Sequence, residues 1–375
     1  MHKSNPAAKA VNTSKEETLV GSMDEKQLKT RWLETDPEAS ATRRDVMVDT
    51  LKTRCREDSS DRPLRMDLRG INLNQLDLSG LDLSGYDLSF AEMNRVNLKG
   101  ANLSHAVLES TAMEKSVLDD CEFIGANLVR ANLNECSARH SGFGGADLSH
   151  ASLINSDLSQ AVFSRSSLHS ADLRAADLTG ARLAESDLSH AVFNRATLVE
   201  CDLKQSNVAH TRFDLADLRQ CRLLSIKNFK TAVWLGADIR DMDLRGAYLV
   251  RRFISDENYL FEFKSQSRLH AMIYWIWWFT SDCGRSLLRW LVWLVVATLV
   301  YAGLYTLVSI DYGDYPTWYS PIYFSFVTLT TLGYGDAVPM TFTAQVIVTL
   351  QAVTGYMGLG GLLSILGNKM ARRAE

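Results

Sequence analysis

The chain has 375 residues, of which 46% are hydrophobic and 22% are charged, and its formal net charge is −4. This average is typical of a soluble protein, but residues 290–310 and 337–368 contain no Asp, Glu, Lys or Arg, which excludes a purely soluble fold. The nearly balanced charge also excludes nucleic-acid binding through a strongly basic surface.

The N-terminal segment, residues 1–65, is polar and only weakly periodic. We expect it to be partly helical or disordered, with helix in residues 24–56 interrupted at Pro37. Because no apolar run of signal-peptide length occurs in it, we expect the first 250 residues to stay in the cytosol.

A five-residue repeat occupies residues 66–250. The residue at the centre of each unit is nearly always Leu or Phe, and the residue two positions before it is usually Ala, Ser, Thr or Cys. The register begins at Leu68, gains one residue after Leu223 and continues to Leu249. Its clearest members are the Ala-Asn-Leu and Ala-Asp-Leu triplets at 101–103, 126–128, 131–133, 146–148, 171–173, 176–178 and 216–218.

The period of five decides the conformation of these units. In a helix, a five-residue step rotates by about 500°, so the apolar residues would form no face. In a straight strand an odd step sends successive Leu side chains to opposite sides. The chain must therefore turn within every unit and wind into a solenoid. Phe123, Phe143 and Phe163 are spaced by one coil if four units complete a turn.

This pattern resembles the pentapeptide-repeat family, and the resemblance implies a right-handed quadrilateral β-helix. Asp recurs just before the unit centres and would line the outer surface. Because some members of this family imitate DNA and bind DNA gyrase, mimicry is one interpretation of the acidic surface and an ordinary solvated face is the other, which we favour. We expect an unidentified cytosolic protein or ligand to bind the β-helix, and no nucleic acid.

Several residues depart from the consensus of the repeat. The early units carry large residues at the small position, which indicates a wider first end or a cap: Ile71, Leu76, Leu81 and Tyr86. Four cysteines occupy the small position, and we interpret them as small buried side chains rather than as a disulfide framework or a zinc site: Cys121, Cys136, Cys201 and Cys221. Five histidines occupy outward positions without a fixed Cys or carboxylate arrangement, so we expect no enzyme: His105, His140, His150, His190 and His210.

The remaining residues predict a membrane domain. Residues 251–285 form an aromatic-rich linker whose tryptophans suit a helix at the membrane interface, although burial against the end of the solenoid is the alternative. Residues 286–375 predict a pore domain with an outer helix at about 287–310 and an inner helix at about 341–366. Basic residues flank the apolar stretches at Arg285, Arg289 and Lys369, so both termini are expected in the cytoplasm and the protein in the cell inner (plasma) membrane as a multi-pass protein.

Between the two spans, a short apolar stretch predicts a pore helix at about 320–330 that is too brief to cross the bilayer and must re-enter. It leads into Thr-Leu-Gly-Tyr-Gly-Asp at 331–336, which resembles the potassium-channel selectivity filter with Leu where Val is more usual. The resemblance implies that carbonyls coordinate K⁺ at Thr331, Leu332, Gly333 and Tyr334. It also implies that Gly335 and Asp336 support the filter, that Tyr334 wedges it against the pore helix, and that four chains form a homotetramer in the lipid bilayer.

Gly355 lies where this family has its hinge glycine, so the resemblance implies a gating hinge there. Close helix packing through small residues is the alternative, and Gly358, Gly360 and Gly361 fit it equally well. The predicted function is that of a homotetrameric potassium channel with K⁺ as the permeant ion and no cofactor, in which the β-helix serves assembly or regulation. The alternatives are a membrane-anchored scaffold that binds a partner such as a topoisomerase, and a poorly selective cation channel.

Overall fold

The computed structural model describes residues 23–36, 41–54, 67–243, 247–313 and 316–374. The chain divides into two compact units, Met1–Asn258 and Tyr259–Glu375. Pro37 and Cys55 lie outside the described residues, as does the predicted repeat centre at Leu244.

In the first compact unit, each five-residue repeat contains a short extended segment and a turn. In the unit at 101–105, Ala101 and Leu103 are buried, while Asn102 lies between them in parallel bridges to the coils on either side. The turn is closed by a hydrogen bond of 3.1 Å from the Ala106 N–H to the Leu103 carbonyl, and its third residue, His105, has a φ of 58°. A positive φ at this place is characteristic of a type II turn, which makes the corner of the coil.

The coils stack with the predicted period. Bridges join residues 20 apart from Asp67↔Asp87 to Asn207↔Lys227, and residues 21 apart from Arg212↔Val233 to Arg222↔Asp243. Four units therefore complete one coil, and the extra residue predicted after Leu223 is confirmed.

The phenylalanines stack inside the coils as the sequence predicts. The ring centroids of Phe123 and Phe143 are 4.8 Å apart and those of Phe143 and Phe163 are 4.7 Å apart, with nearly parallel planes. A second stack joins Phe193, Phe213 and Trp234. The spacing of the rings equals the distance between neighbouring strands of a sheet, so each ring lies directly over the one before it.

Small side chains fill the space beside these central residues. The four cysteines of the repeat are buried, as predicted, and the Cys121 Sγ lies 2.8 Å from the Leu98 carbonyl oxygen of the preceding coil. Burial raises the pKa of the Cys121 thiol and of the Cys136 thiol to about 12, since a thiolate would lose its hydration there. Ser116 makes the same kind of hydrogen bond to the Met93 carbonyl, so the inward hydroxyls and thiols are satisfied by the backbone.

Helices cap the first coil. Helix α1 spans Glu25–Thr30, a 3₁₀ turn spans Arg31–Leu33, and helix α2 spans Arg43–Arg54. Trp32 and Leu51 are buried in the solenoid core, and the Trp32 indole N–H donates a hydrogen bond of 2.8 Å to the Arg69 carbonyl. Ile71 and Leu81 of the early units belong to the same hydrophobic cluster, and Leu76 and Tyr86 are partly buried against it.

Helix α3, Tyr248–Ser265, follows the last coil, and its first residues belong to the core of the same unit. Ile254 is fully buried, and the Asn258 amide donates a hydrogen bond of 3.2 Å to the Trp234 carbonyl. The prediction that the repeat continues to Leu249 was wrong, because Leu249 lies in this helix with 70% of its surface exposed.

The second unit is mostly helical. Helix α4 spans Arg268–Ser281, α5 spans Leu287–Tyr305, α6 spans Ser320–Leu329 and α7 spans Phe342–Ala374. Strands β1 (Ile310–Asp311) and β2 (Val338–Pro339) pair in antiparallel fashion and close the chain between α5 and α7 into a loop. Helix α5 ends five residues before the predicted limit of 310, because the chain enters β1 there.

Candidate functional site

Among the residues that the structure describes, two helices are long and apolar enough to cross a membrane. They are Leu287–Tyr305 and the Phe342–Gly367 part of α7, and only 11% and 17% of their apolar windows are buried. A core helix of a soluble domain would be mostly covered by protein. The exposed apolar surface therefore requires a lipid environment or other chains.

Helix α6 lies between these two helices and packs against both. Pro321 lies in its first turn, where a missing N–H costs no helical hydrogen bond, and Phe324, Val327 and Leu329 are buried. With ten residues, α6 is about 15 Å long, half of what a bilayer core requires.

The segment Thr331–Asp336 follows α6 directly and has an alternating backbone. The φ angles of Thr331, Gly333 and Gly335 are 58°, 52° and 78°, whereas those of Leu332 and Tyr334 are not positive. A backbone that alternates between left-handed and right-handed residues brings successive N–H groups to one side. Because C=O and N–H point in opposite directions in a trans peptide, a fully alternating segment would collect its carbonyl groups on the other side.

Hydrogen bonds attach the start of this segment to the last turn of α6. The Thr331 N–H donates to the Thr328 carbonyl over 3.1 Å, and the Leu332 N–H donates to the Val327 carbonyl over 3.0 Å. The segment is therefore positioned by α6, while its later residues are open. Leu332 and Tyr334 are 55% and 66% exposed, so in a single chain Tyr334 does not bury itself against α6.

At the far end of the segment, Asp336 lines a cavity of about 490 Å³. The cavity is bordered mainly by aromatic and small residues: Tyr312, Gly313, Thr317, Tyr319, Ser320, Tyr323 and Ala337. Asp336 is exposed, so its carboxylate can meet solvent cations.

Gly355 lies on α7 opposite the end of α6. A Cβ atom at this position would overlap the Leu329 carbonyl group, so only glycine permits the observed approach of the two helices. Gly358 and Gly361 similarly face the side chains of Leu294 and Trp290, whereas nothing lies within 4 Å of a Cβ at Gly360. The structure therefore shows close packing at Gly355.

Two features of this region were missed in the sequence. The positive φ of Thr331 is one of them, because such an angle is uncommon for a residue other than glycine. The buried amide of Gln351 was also missed, although a glutamine inside the apolar stretch 337–368 was a visible signal.

Histidines of the solenoid form a column that the repeat did not predict. The rings of His150, His169, His190 and His210 follow one another on successive coils, with centroids 4.9 to 5.6 Å apart. Among residues that the structure describes, no group of three or more His, Cys, Asp or Glu side chains is placed to hold a metal ion.

Comparison with known proteins identifies both parts of the chain. A family model described as "Ion channel" matches residues 289–372. A model described as "Pentapeptide repeats (8 copies)" matches residues 67–104 and 181–220. Another, described as "Pentapeptide repeat region", matches residues 116–193. No curated protein matches the chain.

Three solved structures of pentapeptide-repeat proteins are similar to part of this chain. A trypsin-treated form of QnrB1, a plasmid-mediated fluoroquinolone resistance protein, is 16% identical over 51% of this chain and 96% of its own, with a TM-score of 0.45. HetL is involved in heterocyst differentiation regulation in the cyanobacterium Nostoc sp. strain PCC 7120. It is 27% identical, and the match covers 50% of this chain and 91% of HetL with a TM-score of 0.22. A pentapeptide repeat protein from the Arabidopsis thaliana thylakoid lumen is 22% identical. The match covers 35% of this chain and 70% of that protein, with a TM-score of 0.22.

The family matches coincide with the two compact units: the repeat models fall on the stacked coils, and the channel model begins in α5 and ends in α7. Residues 289–372 therefore form an ion channel domain, and the chain carries a pentapeptide-repeat region N-terminal to it.

Proposed function

We propose that the protein is a homotetrameric, potassium-selective channel that conducts K⁺ passively through the segment Thr331–Asp336. The observation that carries this proposal is the alternating backbone of that segment, placed between two apolar helices directly after the short helix α6. Such a backbone offers a row of carbonyl oxygens, which can replace the hydration shell of a cation.

In this proposal the carbonyls of Thr331, Leu332, Gly333 and Tyr334 coordinate K⁺. Gly335 and Asp336 support the filter from its outer end. A single chain supplies one quarter of each ring of oxygens, so four copies must meet around an axis. The exposure of Leu332 and Tyr334 in one chain is consistent with this arrangement, because a neighbouring copy would cover them.

Helix α6 serves in this proposal as a re-entrant pore helix. It is too short to span the bilayer, and the antiparallel pairing of β1 with β2 brings the two ends of the intervening loop together. Its C-terminal end, at Leu329, is separated from the first filter residue by Thr330 alone. The partial negative charge of a helix C-terminus favours a cation at that place.

The orientation of the spans follows from the basic residues at their ends. Arg285 and Arg289 precede the apolar part of α5, and Lys369 follows that of α7. By the positive-inside rule both ends face the cytoplasm, with the protein in the plasma membrane. The apolar, aromatic surface of α4, in which Trp275 and Phe279 are more than half exposed, then suits the membrane interface.

The solenoid serves as the assembly or regulatory module, with the right-handed, four-sided coil of its family. Helix α3 leads from its last coil to the channel domain, and Gly355 is the proposed hinge of the inner helix α7. Deletion of residues 1–250 followed by single-channel recording tests this role. A change in tetramer assembly or open probability is expected, and identical values would reject it.

The decisive experiment is the reversal potential of the purified full-length protein in liposomes with K⁺ on one side and Na⁺ on the other. We expect a value near the potassium equilibrium potential. A value near zero would favour a poorly selective cation channel, for which the Leu at position 332 is the structural reason. Absence of any current, together with a monomeric protein in lipid, would leave a membrane-anchored scaffold.

A further inference from the structure

A cluster of buried polar side chains joins the three helices of the channel domain. Tyr305 is the last residue of α5, Ser325 lies in the middle of α6, and Gln351 lies in α7. All three are nearly or completely buried, with exposed fractions of 1%, 0% and 0%. Among the described residues of this domain, most of the other buried side chains are apolar, including Phe324, Val327 and Leu329.

The side chains of this cluster are linked by hydrogen bonds. The Gln351 Nε2 donates to the Ser325 carbonyl over 2.9 Å and to the Ser325 Oγ over 2.6 Å, while the Tyr305 hydroxyl donates to the Gln351 Oε1. The Ser325 hydroxyl in turn donates to the Thr298 carbonyl of α5 over 2.7 Å. Gln351 therefore contacts α5 and α6 at once through its single amide.

Placing an amide at this depth requires all of these partners. A polar group buried in an apolar environment costs free energy unless it is hydrogen-bonded, whereas a leucine of similar size would fill the same space without that requirement. The advantage of the glutamine is that hydrogen bonds are directional, whereas apolar contacts are not. Its bonds fix both the rotation and the depth of α6, which apolar contacts alone define less sharply.

The position of α6 determines the position of the filter segment. Ser325 lies one turn before Leu329, the last residue of α6, and the first filter residues hydrogen-bond to that last turn. Gly355, one turn after Gln351, contacts Leu329 from the same helix α7. Helix α7 thus holds α6 at two successive turns, by a polar contact at Ser325 and by a close backbone approach at Leu329.

We propose that Gln351 is a positioning residue that sets the K⁺ over Na⁺ selectivity of the Thr331–Asp336 segment without touching the ion. The inference rests on the proposed channel function and assigns part of its selectivity to a side chain outside the filter. Displacement of α6 moves the carbonyl oxygens from the spacing that suits K⁺, so loss of the Gln351 bonds raises the relative permeability of Na⁺.

The test compares variants of the full-length protein in liposomes by the Na⁺/K⁺ permeability ratio from bi-ionic reversal potentials. Gln351→Leu removes every bond of the amide and is expected to raise the ratio at least tenfold. Tyr305→Phe leaves both bonds to Ser325 and is expected to raise it about threefold. Tetramer assembly, measured by native electrophoresis, is expected to be unchanged in both.

The matched control is Thr354→Val. Thr354 hydrogen-bonds the Tyr301 hydroxyl at 3.2 Å and so joins α5 to α7, as Gln351 does, but without a bond to α6. Thr354→Val is expected to keep the permeability ratio within twofold of the wild type. An equal rise in Thr354→Val and Gln351→Leu would overturn the proposal, because any loosened helix contact would then suffice.

The remaining outcomes also decide the question. A conducting Gln351→Leu tetramer with the wild-type ratio overturns the proposal. Should Gln351→Leu fail to assemble, a raised ratio in Tyr305→Phe supports the proposal and an unchanged ratio overturns it. Loss of assembly in both variants shows a purely structural role and overturns it as well. The wild-type permeability ratio is measured before that of any variant. A wild-type protein that does not select K⁺ refutes the proposed function itself.

Discussion

The backbone of Gly355 packs directly against the carbonyl group of Leu329, leaving no space for a Cβ atom between α7 and α6. Two further glycines of α7, Gly358 and Gly361, face side chains of α5 in the same way. Small residues allow helices in a membrane to approach closely, where van der Waals contact replaces the hydrophobic effect as the source of stability. This contact gives Gly355 a packing role whether or not the helix also bends there.

We predict that Gly355→Ala abolishes or strongly reduces K⁺ flux into liposomes. The added methyl group meets a main-chain carbonyl, which cannot rotate away as a side chain could, so α6 must shift. Overpacking of this kind costs about 1–3 kcal/mol, and the shift moves the segment that α6 positions. Flux assays and thermal stability in detergent are the measurements.

The control for this prediction is Gly360→Ala on the same helix. A Cβ at Gly360 meets nothing within 4 Å, and the change favours the helix by about 1 kcal/mol. We expect normal flux and equal or higher thermal stability. If Gly360→Ala impairs flux as much as Gly355→Ala does, the stiffness of the helix rather than the contact with Leu329 is responsible.

A second prediction concerns the corners of the solenoid. Ala175 occupies the turn position with a φ of 54°, a conformation that costs an L-residue roughly 1 kcal/mol and costs glycine almost nothing. We expect Ala175→Gly to raise the stability of the solenoid by up to about 1 kcal/mol, as measured by urea-dependent proteolysis of the full-length protein.

Ala184 is the matched control, because it lies one turn position earlier in its own unit and its φ is not positive. Glycine at that place relieves no strain and adds conformational freedom to the unfolded chain, so Ala184→Gly is expected to destabilise the solenoid by about 0.5–1 kcal/mol. Equal effects of the two substitutions would contradict the assigned strain.

The period of the solenoid was predictable from sequence because every coil repeats the same local sequence pattern. A small residue and a Leu, two positions apart, recur often enough to predict a turn in each unit, and the spacing of Phe123 and Phe143 predicts the length of the coil. The end of the solenoid was not predictable in this way. Leu249 fits the register, but it lies in α3, where helix packing at Ile254 outweighs the repeat.

The candidate site was only partly predictable, for a related reason. Gly333 and Gly335 mark backbone positions where a positive φ is easily adopted, and the sequence shows both. Gln351 and Ser325 meet only after α6 and α7 have packed, so their 26-residue separation carried no pattern. Local conformational rules therefore explain the positive φ angles of Gly333 and Gly335, and the resemblance of residues 331–336 to a potassium-channel filter predicts the site, whereas the contacts that position this segment depend on the tertiary fold.

A third prediction concerns the buried thiols. Burial raises the pKa of Cys121 and Cys136 to about 12, so both remain protonated at neutral pH and are covered by the coils. In a Cys55→Ser/Cys283→Ser background we expect no labelling by a maleimide at pH 7.5 in the native state and labelling in 8 M urea. Rapid native labelling would show that the coils open frequently and would contradict the tight stacking.

A fourth prediction follows from the ion pair between Arg31 and Asp67, which attaches the N-terminal helices to the first coil. The Arg31 Nη2 lies 2.9 Å from the Asp67 Oδ1, and Arg69 donates to the same carboxylate. Burial on its own raises the pKa of Asp67, but the hydrogen bonds from Arg69 and Arg31 outweigh it and lower the pKa to about 2. The carboxylate is therefore favoured in the folded state.

Because the folded pKa lies below the ordinary value of 3.8, this stabilisation is fully present above about pH 5 and is lost as the pH falls from about 4 toward 2. Hydrogen exchange of α1 residues should show constant protection between pH 7 and 5 and a loss below pH 4. Asp67→Asn should lower the protection at pH 7 by about 1–2 kcal/mol, allowing for the partial exposure of the pair.

Arg31→Gln provides the matching change on the other side of the ion pair. Added to Asp67→Asn it should cost less than it does alone, because the two residues act through one interaction. A wild-type protection that already falls between pH 7 and 5 would point to histidine instead, since imidazole is the side chain that ordinarily titrates in that range.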